Sequence, residues 1–208
     1  MRVLLIDHLD SFVHVLADAL RTAGAHVHVL RGRTGGNDLV REIDRLEPRL
    51  LVLSPGPGHP EEAPATRAVL RMRPEVPVLG ICLGFQILAL SAGGRVVRGP
   101  RPVHGRASLV RGSDDPLFRE GPDLFLAARY HSLIVPETPP GYRVIARTVD
   151  EEPGLIMAMR HETLPRVGFL FHPESFLTPE GPLLLERVLA EAADARRPIP
   201  CRTGGNER

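Results

Sequence analysis

The chain has 208 residues, enough for one domain with a substantial buried core. Its 26 Lys and Arg against 25 Asp and Glu leave a formal charge of +1, so no long-range field draws it to nucleic acid or to an anionic membrane. Trp is absent and aromatic residues make up 4%, which weakens any base-stacking role, and no apolar run reaches the ~18 residues of a bilayer span.

Read from the amino terminus, Met1 to Asp7 is a short apolar run ended by Asp7, His8 and Asp10, which predicts a first strand and not a signal peptide. Val3–Ile6, Val27–Leu30, Leu50–Leu53 and Val76–Ile81 read as buried strands. Between them, Ser11–Ala23, Asp38–Glu47 and Pro64–Arg73 carry apolar residues at helical spacing, with Asp10 or Ser11 and Asn37 or Asp38 as N-caps and Gly24 as a stop. This alternation predicts a parallel sheet with right-handed crossovers and helices on both faces.

A helix is expected from near Gly84 to Gly93–Gly94. Beyond it the pattern changes to short strands at Arg95–Val97, Ala107–Arg111, Leu124–Ala127, Arg143–Thr148, Leu155–Arg160 and Arg166–Phe171, separated by Gly, Pro and Asp turns. A last helix runs from about Glu180 to Ala195. The expected fold class is therefore α/β, doubly wound, with a mostly parallel central sheet and a small antiparallel extension. One domain is expected over 1–195, followed by a poorly ordered tail over 196–208 rich in Arg, Gly and Pro. Two cysteines, Cys82 and the tail residue Cys201, make no disulfide framework, and a reducing cytoplasm is the expected location.

Cys82 stands in Gly80-Ile-Cys-Leu-Gly84, where a strand stops and a helix starts. A thiol at such a place packs equally well as an inert small hydrophobe. The flanking glycines permit the strained, closely packed turn of a nucleophile elbow, and the following helix N-terminus favours a thiolate. Downstream, Phe171-His-Pro-Glu-Ser175 offers an imidazole and a carboxylate two residues apart. A base oriented by a carboxylate is what nucleophilic catalysis requires, so Cys82, His172 and Glu174 form a candidate triad. Its order along the chain is not that of the usual α/β-hydrolases. The third motif, Ser54-Pro-Gly-Pro-Gly58, reads either as a rigid turn or as a stiff loop whose N–H groups face a developing oxyanion. It lacks Gly-Lys-Ser/Thr and is no phosphate-binding loop.

Taken in order, Ser-Pro-Gly-Pro-Gly, Gly-Ile-Cys-Leu-Gly-Phe-Gln and Phe-His-Pro-Glu-Ser resemble the triad-type (class I) glutamine amidotransferases. Asp10-Ser-Phe12, His104-Gly-Arg-Ala-Ser108 and Arg129-Tyr-His-Ser-Leu133 narrow the resemblance to the glutaminase subunits of anthranilate synthase and aminodeoxychorismate synthase, over about residues 1–190. The resemblance implies a flavodoxin-like sheet and no cofactor or metal. It makes Cys82 the nucleophile, His172 the base and Glu174 its orienting carboxylate. It also implies contacts to L-glutamine from Gly56, Pro57, Gly58, Leu83, Gln86, His131 and Ser132, with the N–H groups of Gly56 and Leu83 as oxyanion donors. The partner implied is a chorismate-using synthase subunit of component I type in a hetero-oligomer, with no nucleic acid and no membrane.

Departures from the family pattern are Phe85 where His is usual, Leu170 where Gln is usual, Asp7-His-Leu-Asp10 in place of Asp-Asn-Tyr-Asp, and Val13-His14 in place of Thr-Tyr. None touches the triad; the amino-terminal changes bear on which partner is served. Two other readings are a non-catalytic assembly subunit that kept the fold and a stand-alone thiol hydrolase of γ-glutamyl compounds.

Overall fold

A computed structural model describes residues 1–32, 35–119, 121–150 and 154–194. The tail expected over 196–208, Cys201 included, lies outside them. One nine-stranded sheet organises the chain, in the order β2-β1-β3-β4-β9-β8-β7-β5-β6. Its parallel half comprises β1 (Arg2–Asp7), β2 (His26–Arg31), β3 (Leu50–Leu53), β4 (Val78–Ile81) and β9 (Arg166–Phe169). The antiparallel half comprises β5 (Val97–Gly112), β6 (Leu124–Ile134), β7 (Tyr142–Thr148) and β8 (Ile156–His161).

Strands β1, β3 and β4 are short and apolar because helices cover both faces, whereas β2, read as buried, is the largely exposed edge strand. The chain steps from β1 outward to β2, then back across β1 to β3, and right-handed crossovers place the connecting helices on opposite faces. Helix α1 (Val13–Thr22) packs with α5 (Gly181–Asp194). Helices α2 (Gly36–Leu46), α3 (Pro64–Met72) and α4 (Leu83–Ser91) pack in succession. The reversal of direction between β1 and β3 opens a crevice at the carboxyl ends of the strands, and the motif loops lie there.

The strands read in the first half all form, within two residues of their expected ends. Gly24 adopts φ +91° one residue past the C-cap of α1, as a helix stop requires. Two expectations for the second half are corrected. No separate strand forms at Arg95–Val97: only Val97 joins Ala107–Arg111 in one long, bulged strand, β5, and Leu124–Ala127 continues through Tyr130-His-Ser-Leu133 as β6. Gly99, Pro100 and Gly105 read as turns, whereas pairing with β6 carries the strand across them through two register shifts. The expected mostly parallel sheet with an antiparallel extension forms, and the extension is four strands continuous with the parallel ones.

A buried ion pair ties that half to the helices. Asp115, in the β5–β6 connection, is 1% exposed. Its carboxylate accepts from Arg160 Nε and Nη2 on β8, both at 2.8 Å, from Arg143 on β7 and from the Leu117 N–H. Arg160 also donates to Glu191 on α5 at 3.0 and 3.1 Å. Burial alone would raise the Asp115 pKa; the Arg160 hydrogen bonds, the Leu117 N–H and the two guanidinium charges outweigh it and hold the carboxyl below the usual range.

Asp115→Ala removes the buried carboxylate between the half-exposed Arg143 and the partly buried Arg160, which keeps Glu191, and should lower unfolding free energy by about 2 kcal/mol in urea titration. Because the folded pKa is depressed, the Asp115 contribution is present above the pKa of an unfolded carboxyl and is lost as pH falls through the lower folded value. The difference between parent and variant should therefore shrink on strong acidification.

Candidate active site

The nucleophile elbow follows from a steric constraint between α4 and the sheet. A Cβ on Gly80 would lie 2.6 Å from the Gly84 carbonyl carbon and oxygen, and a Cβ on Gly84 would lie 2.3 Å from the Leu53 carbonyl oxygen. Only glycine permits this approach. The turn places Cys82 at φ +51° and ψ −100°, a left-handed backbone rarely adopted by a side-chain-bearing residue. Cys82 N–H donates to Phe169 O at 2.8 Å and its carbonyl accepts from Gln86 N at 3.1 Å, so the strained residue is held from both sides. The thiol stands at the N-terminus of α4, where free N–H groups and the helix dipole favour negative charge.

Strand β9 runs parallel to β4, with Gly80 opposite Gly168 and Ile81 opposite Phe169. His172 follows three residues after the end of β9, at the same edge of the sheet as Cys82. Its turn is pinned by a peg that sequence reasoning missed: Thr178, 1% exposed, donates to His172 O at 2.7 Å and accepts from Ala128 N on β6 at 2.9 Å. His172 N–H in turn donates to Ala128 O at 3.1 Å. Gly181 closes the same turn, for a Cβ there would lie 1.8 Å from the Pro173 carbonyl oxygen. A threonine and a glycine in a polar stretch carry no periodicity and no motif spacing of their own, so neither announced its role.

His172 Nδ1 and Glu174 Oε1 are 2.7 Å apart, with the two side chains 4% and 1% exposed. Nε2 is the nitrogen left for the sulfur and has no hydrogen bond of ordinary geometry. Burial lowers the imidazole pKa, but the interactions with Cys82 and Glu174 outweigh it and raise the pKa to about 10. A charged imidazolium beside the sulfur favours the thiolate form. Tyr130 stacks edge-on over His172 with ring centroids 4.9 Å apart, and Phe12 stacks on Tyr130 at 5.6 Å.

The loop Ser54–Gly58 touches this elbow. A Cβ on Gly56 would lie 2.6 Å from His8 O and 3.0 Å from Leu83 Cδ2, so the loop backbone is wedged between the end of β1 and the head of α4. Buried Ser54 locks it by accepting from His8 N–H at 2.8 Å. The His8 ring lies 3.1 Å from Thr66 Oγ1 on α3, and burial lowers its pKa to about 4. Gly56 and the Leu83 side chain are thus in close contact. Pro57 and Gly58 are exposed at the rim.

Gln86, one turn beyond Cys82, is 3% exposed and donates to Leu133 O at 3.4 Å. His131, 4% exposed, also donates to Leu133 O, from Nδ1 at 3.0 Å, and accepts at Nε2 from Arg129 Nε at 3.2 Å. That tautomer is neutral, and burial together with the Arg129 charge lowers its pKa to about 3. Both ring nitrogens are engaged within the chain, so the ring's hydrogen bonds shape the end of β6. Buried Arg129 donates to Ser108 Oγ at 2.9 Å, which accounts for the serine of His104-Gly-Arg-Ala-Ser108. Ser132 is exposed.

The unusual residues Phe85 and Leu170 are both fully buried. Phe85 covers Gly168 and Leu170 donates its N–H to Met157 O at 2.8 Å, so both serve the core under the site. Among the described residues, one group of three possible metal ligands lies close together: Asp10, His172 and Glu174, with ligand atoms within 4.8 Å of one another. Two of its members are already hydrogen-bonded to each other.

Thr178→Val removes both hydrogen bonds of the peg at nearly constant volume. It should cost about 2 kcal/mol of stability in urea titration. Thr178→Ser, which keeps both bonds, should recover most of that loss.

The family described as glutamine amidotransferase class-I matches residues 4–192. The chain is 42% identical over 191 residues to a pyocyanine-specific anthranilate synthase component 2 of Pseudomonas aeruginosa, covering 91% of this chain and 93% of that one. It is 37% identical over 177 residues to anthranilate synthase component 2 of Methanocaldococcus jannaschii, covering 85% and 86%. Among solved structures, a Thermoplasma acidophilum protein superposes with TM-score 0.81 at 22% identity, covering 93% of this chain and 94% of that one. A glutamine amidotransferase of Thermotoga maritima superposes with TM-score 0.73 at 22% identity, covering 93% and 98%. The family match over residues 4–192 and these relatives place the chain in the class-I glutamine amidotransferase family.

Proposed function

We propose that the chain is a glutaminase subunit that hydrolyses L-glutamine and delivers the ammonia to a chorismate-using synthase of the anthranilate synthase type. The observation that carries this reading is the buried Cys82–His172–Glu174 arrangement at the elbow, with Nδ1 of His172 committed to Glu174 and Nε2 left for the sulfur. Relatives named anthranilate synthase component 2, at 37–42% identity over most of the chain, supply the pathway context.

The chemistry follows from the geometry. The Cys82 sulfur attacks the side-chain amide carbon of glutamine, and the carbonyl oxygen becomes an oxyanion facing the Gly56 and Leu83 N–H groups. The imidazolium gives its proton to the departing nitrogen, which leaves as ammonia while a γ-glutamyl thioester forms. His172, now neutral, takes a proton from water as the water adds to the thioester. Collapse returns glutamate, the thiolate and the imidazolium. Gln86, His131 and Ser132 border the glutamine, with Gln86 and His131 converging on the Leu133 carbonyl.

A surface for the synthase lies beside the triad. Phe176, two residues past Glu174, is 88% exposed, and Leu9 and Phe12 in the β1–α1 loop are about two-fifths exposed. Phe12 reaches His172 through Tyr130, so a partner covering these apolar side chains would also cover the site mouth. Ammonia released there would pass into the partner instead of into solvent.

Reconstitution with a candidate synthase tests the proposal. Cys82→Ser should abolish glutamine-dependent synthesis and leave ammonia-dependent synthesis within twofold of the parent; a variant complex that still hydrolyses glutamine at the parental rate overturns the assignment. The imidazolium donates a proton in the first half-reaction, so kcat/KM should fall on the alkaline side as pH rises through the His172 value of about 10. A profile that falls instead near the ordinary histidine range contradicts a charged His172.

A further inference from the structure

The β1–α1 loop brings a second carboxylate to the triad. Asp7 Oδ1 accepts from Leu9 N at 2.7 Å and from Asp10 N at 3.3 Å, and Leu9 sits at φ +67°, so the loop turns back on itself. This turn directs Asp10 inward. The Ser11 and Phe12 N–H groups at the head of α1 lie close enough to this carboxylate to favour its charged form. Asp10 Oδ2 is buried and has no hydrogen-bond partner; the same is true of Glu174 Oε2. Asp10, Glu174 and His172 place ligand atoms within 4.8 Å of one another.

Asp10 and Glu174 thus bring together two carboxylates, each with a buried oxygen that has no donor, and they repel each other unless a cation stands with them. Among the described residues the other groups facing His172 supply none: Cys82 stands at the head of α4, Tyr130 on β6 presents its ring edge-on, and His131 on β6 is neutral with both nitrogens engaged. The imidazolium is therefore the compensating charge. We infer that Asp10 is a positioning residue for the reaction, a second carboxylate that acts with Glu174 to keep His172 protonated and aimed at the sulfur. The inference rests on the triad reading given above and adds to it a residue from the opposite end of the chain.

The Asp10 pKa is raised overall, so the charge of this carboxyl depends on the cation of His172 beside it. Burial raises the Asp10 pKa, the His172 charge and the Phe12 N–H oppose that, and the Glu174 charge adds to it. Asp10 also lies between Leu9 and Phe12, the exposed apolar residues of the same loop, so a partner seated on the loop would press on the residue that sets the charge of the base.

The test follows the imidazole resonances of His172 by NMR in the isolated chain from neutral pH upward, for the parent, Asp10→Asn and Asp10→Ser. Both substitutions keep a side-chain oxygen and remove the charge, and a thermal melt of each variant checks that it is folded. The parent should titrate with a midpoint of about 10. In both variants the midpoint should fall by about one unit, and a fall of at least about half a unit sustains the inference. A smaller fall or a rise overturns it, and a lowered thermal midpoint without that fall marks Asp10 as a helix cap only. The titration needs no glutamine turnover, so failure of the glutaminase assay and failure of this inference are separate results.

Discussion

The contact between Gly84 and the Leu53 carbonyl is the constraint on which the site depends. It lets α4 descend onto the ends of β3 and β4 until no Cβ fits between helix and sheet. That descent forces the turn at residue 82 into a left-handed backbone, which lifts the thiol clear of the sheet and above the first free N–H groups of α4. The same descent brings Leu83 against Gly56, so the loop Ser54–Gly58 and the elbow share one packing contact. Backbone strain of about 1–3 kcal/mol at such a residue is sustained because strand pairing on both sides of the elbow over-determines it.

Electrostatics then separates this thiol from an inert buried one. A desolvated histidine ordinarily loses its proton; here the anions around it reverse the sign. The contrast with His131 and His8 is instructive, because all three are desolvated in one crevice. His131 faces Arg129 and falls to about 3, and His8 is stranded between Ser54 and Thr66 and falls to about 4. Only His172 rises. One protein thus holds three imidazoles in two charge states, and neighbouring charges, not depth of burial, decide which one carries the proton.

Much of this was legible in the sequence, for reasons that differ along the chain. The parallel strands were readable because two-sided burial leaves short unbroken apolar runs such as Leu50–Leu53 and Val78–Ile81. The elbow and the His-Pro-Glu turn were readable because catalysis demands particular residue types at fixed spacing. The long strand β5 was not, because Gly99, Pro100 and Gly105 carry local turn signals that pairing with β6 overrides. Thr178, Gly181 and Asp10 were not singled out as parts of the site, since each acts through a contact with a distant segment and leaves no periodic trace. Phe85 and Leu170 read as departures from a family pattern and prove to be core residues beneath the site.

The central claim is that Cys82 carries the γ-glutamyl group during turnover. Acid quenching of the chain with its synthase partner during steady-state glutamine hydrolysis, followed by peptide mass spectrometry, reads this directly. The account predicts a γ-glutamyl thioester on the peptide containing Cys82, appearing with glutamine and absent with ammonia. Steady glutamine consumption with no adduct on that peptide, or with the adduct on another residue, would contradict it.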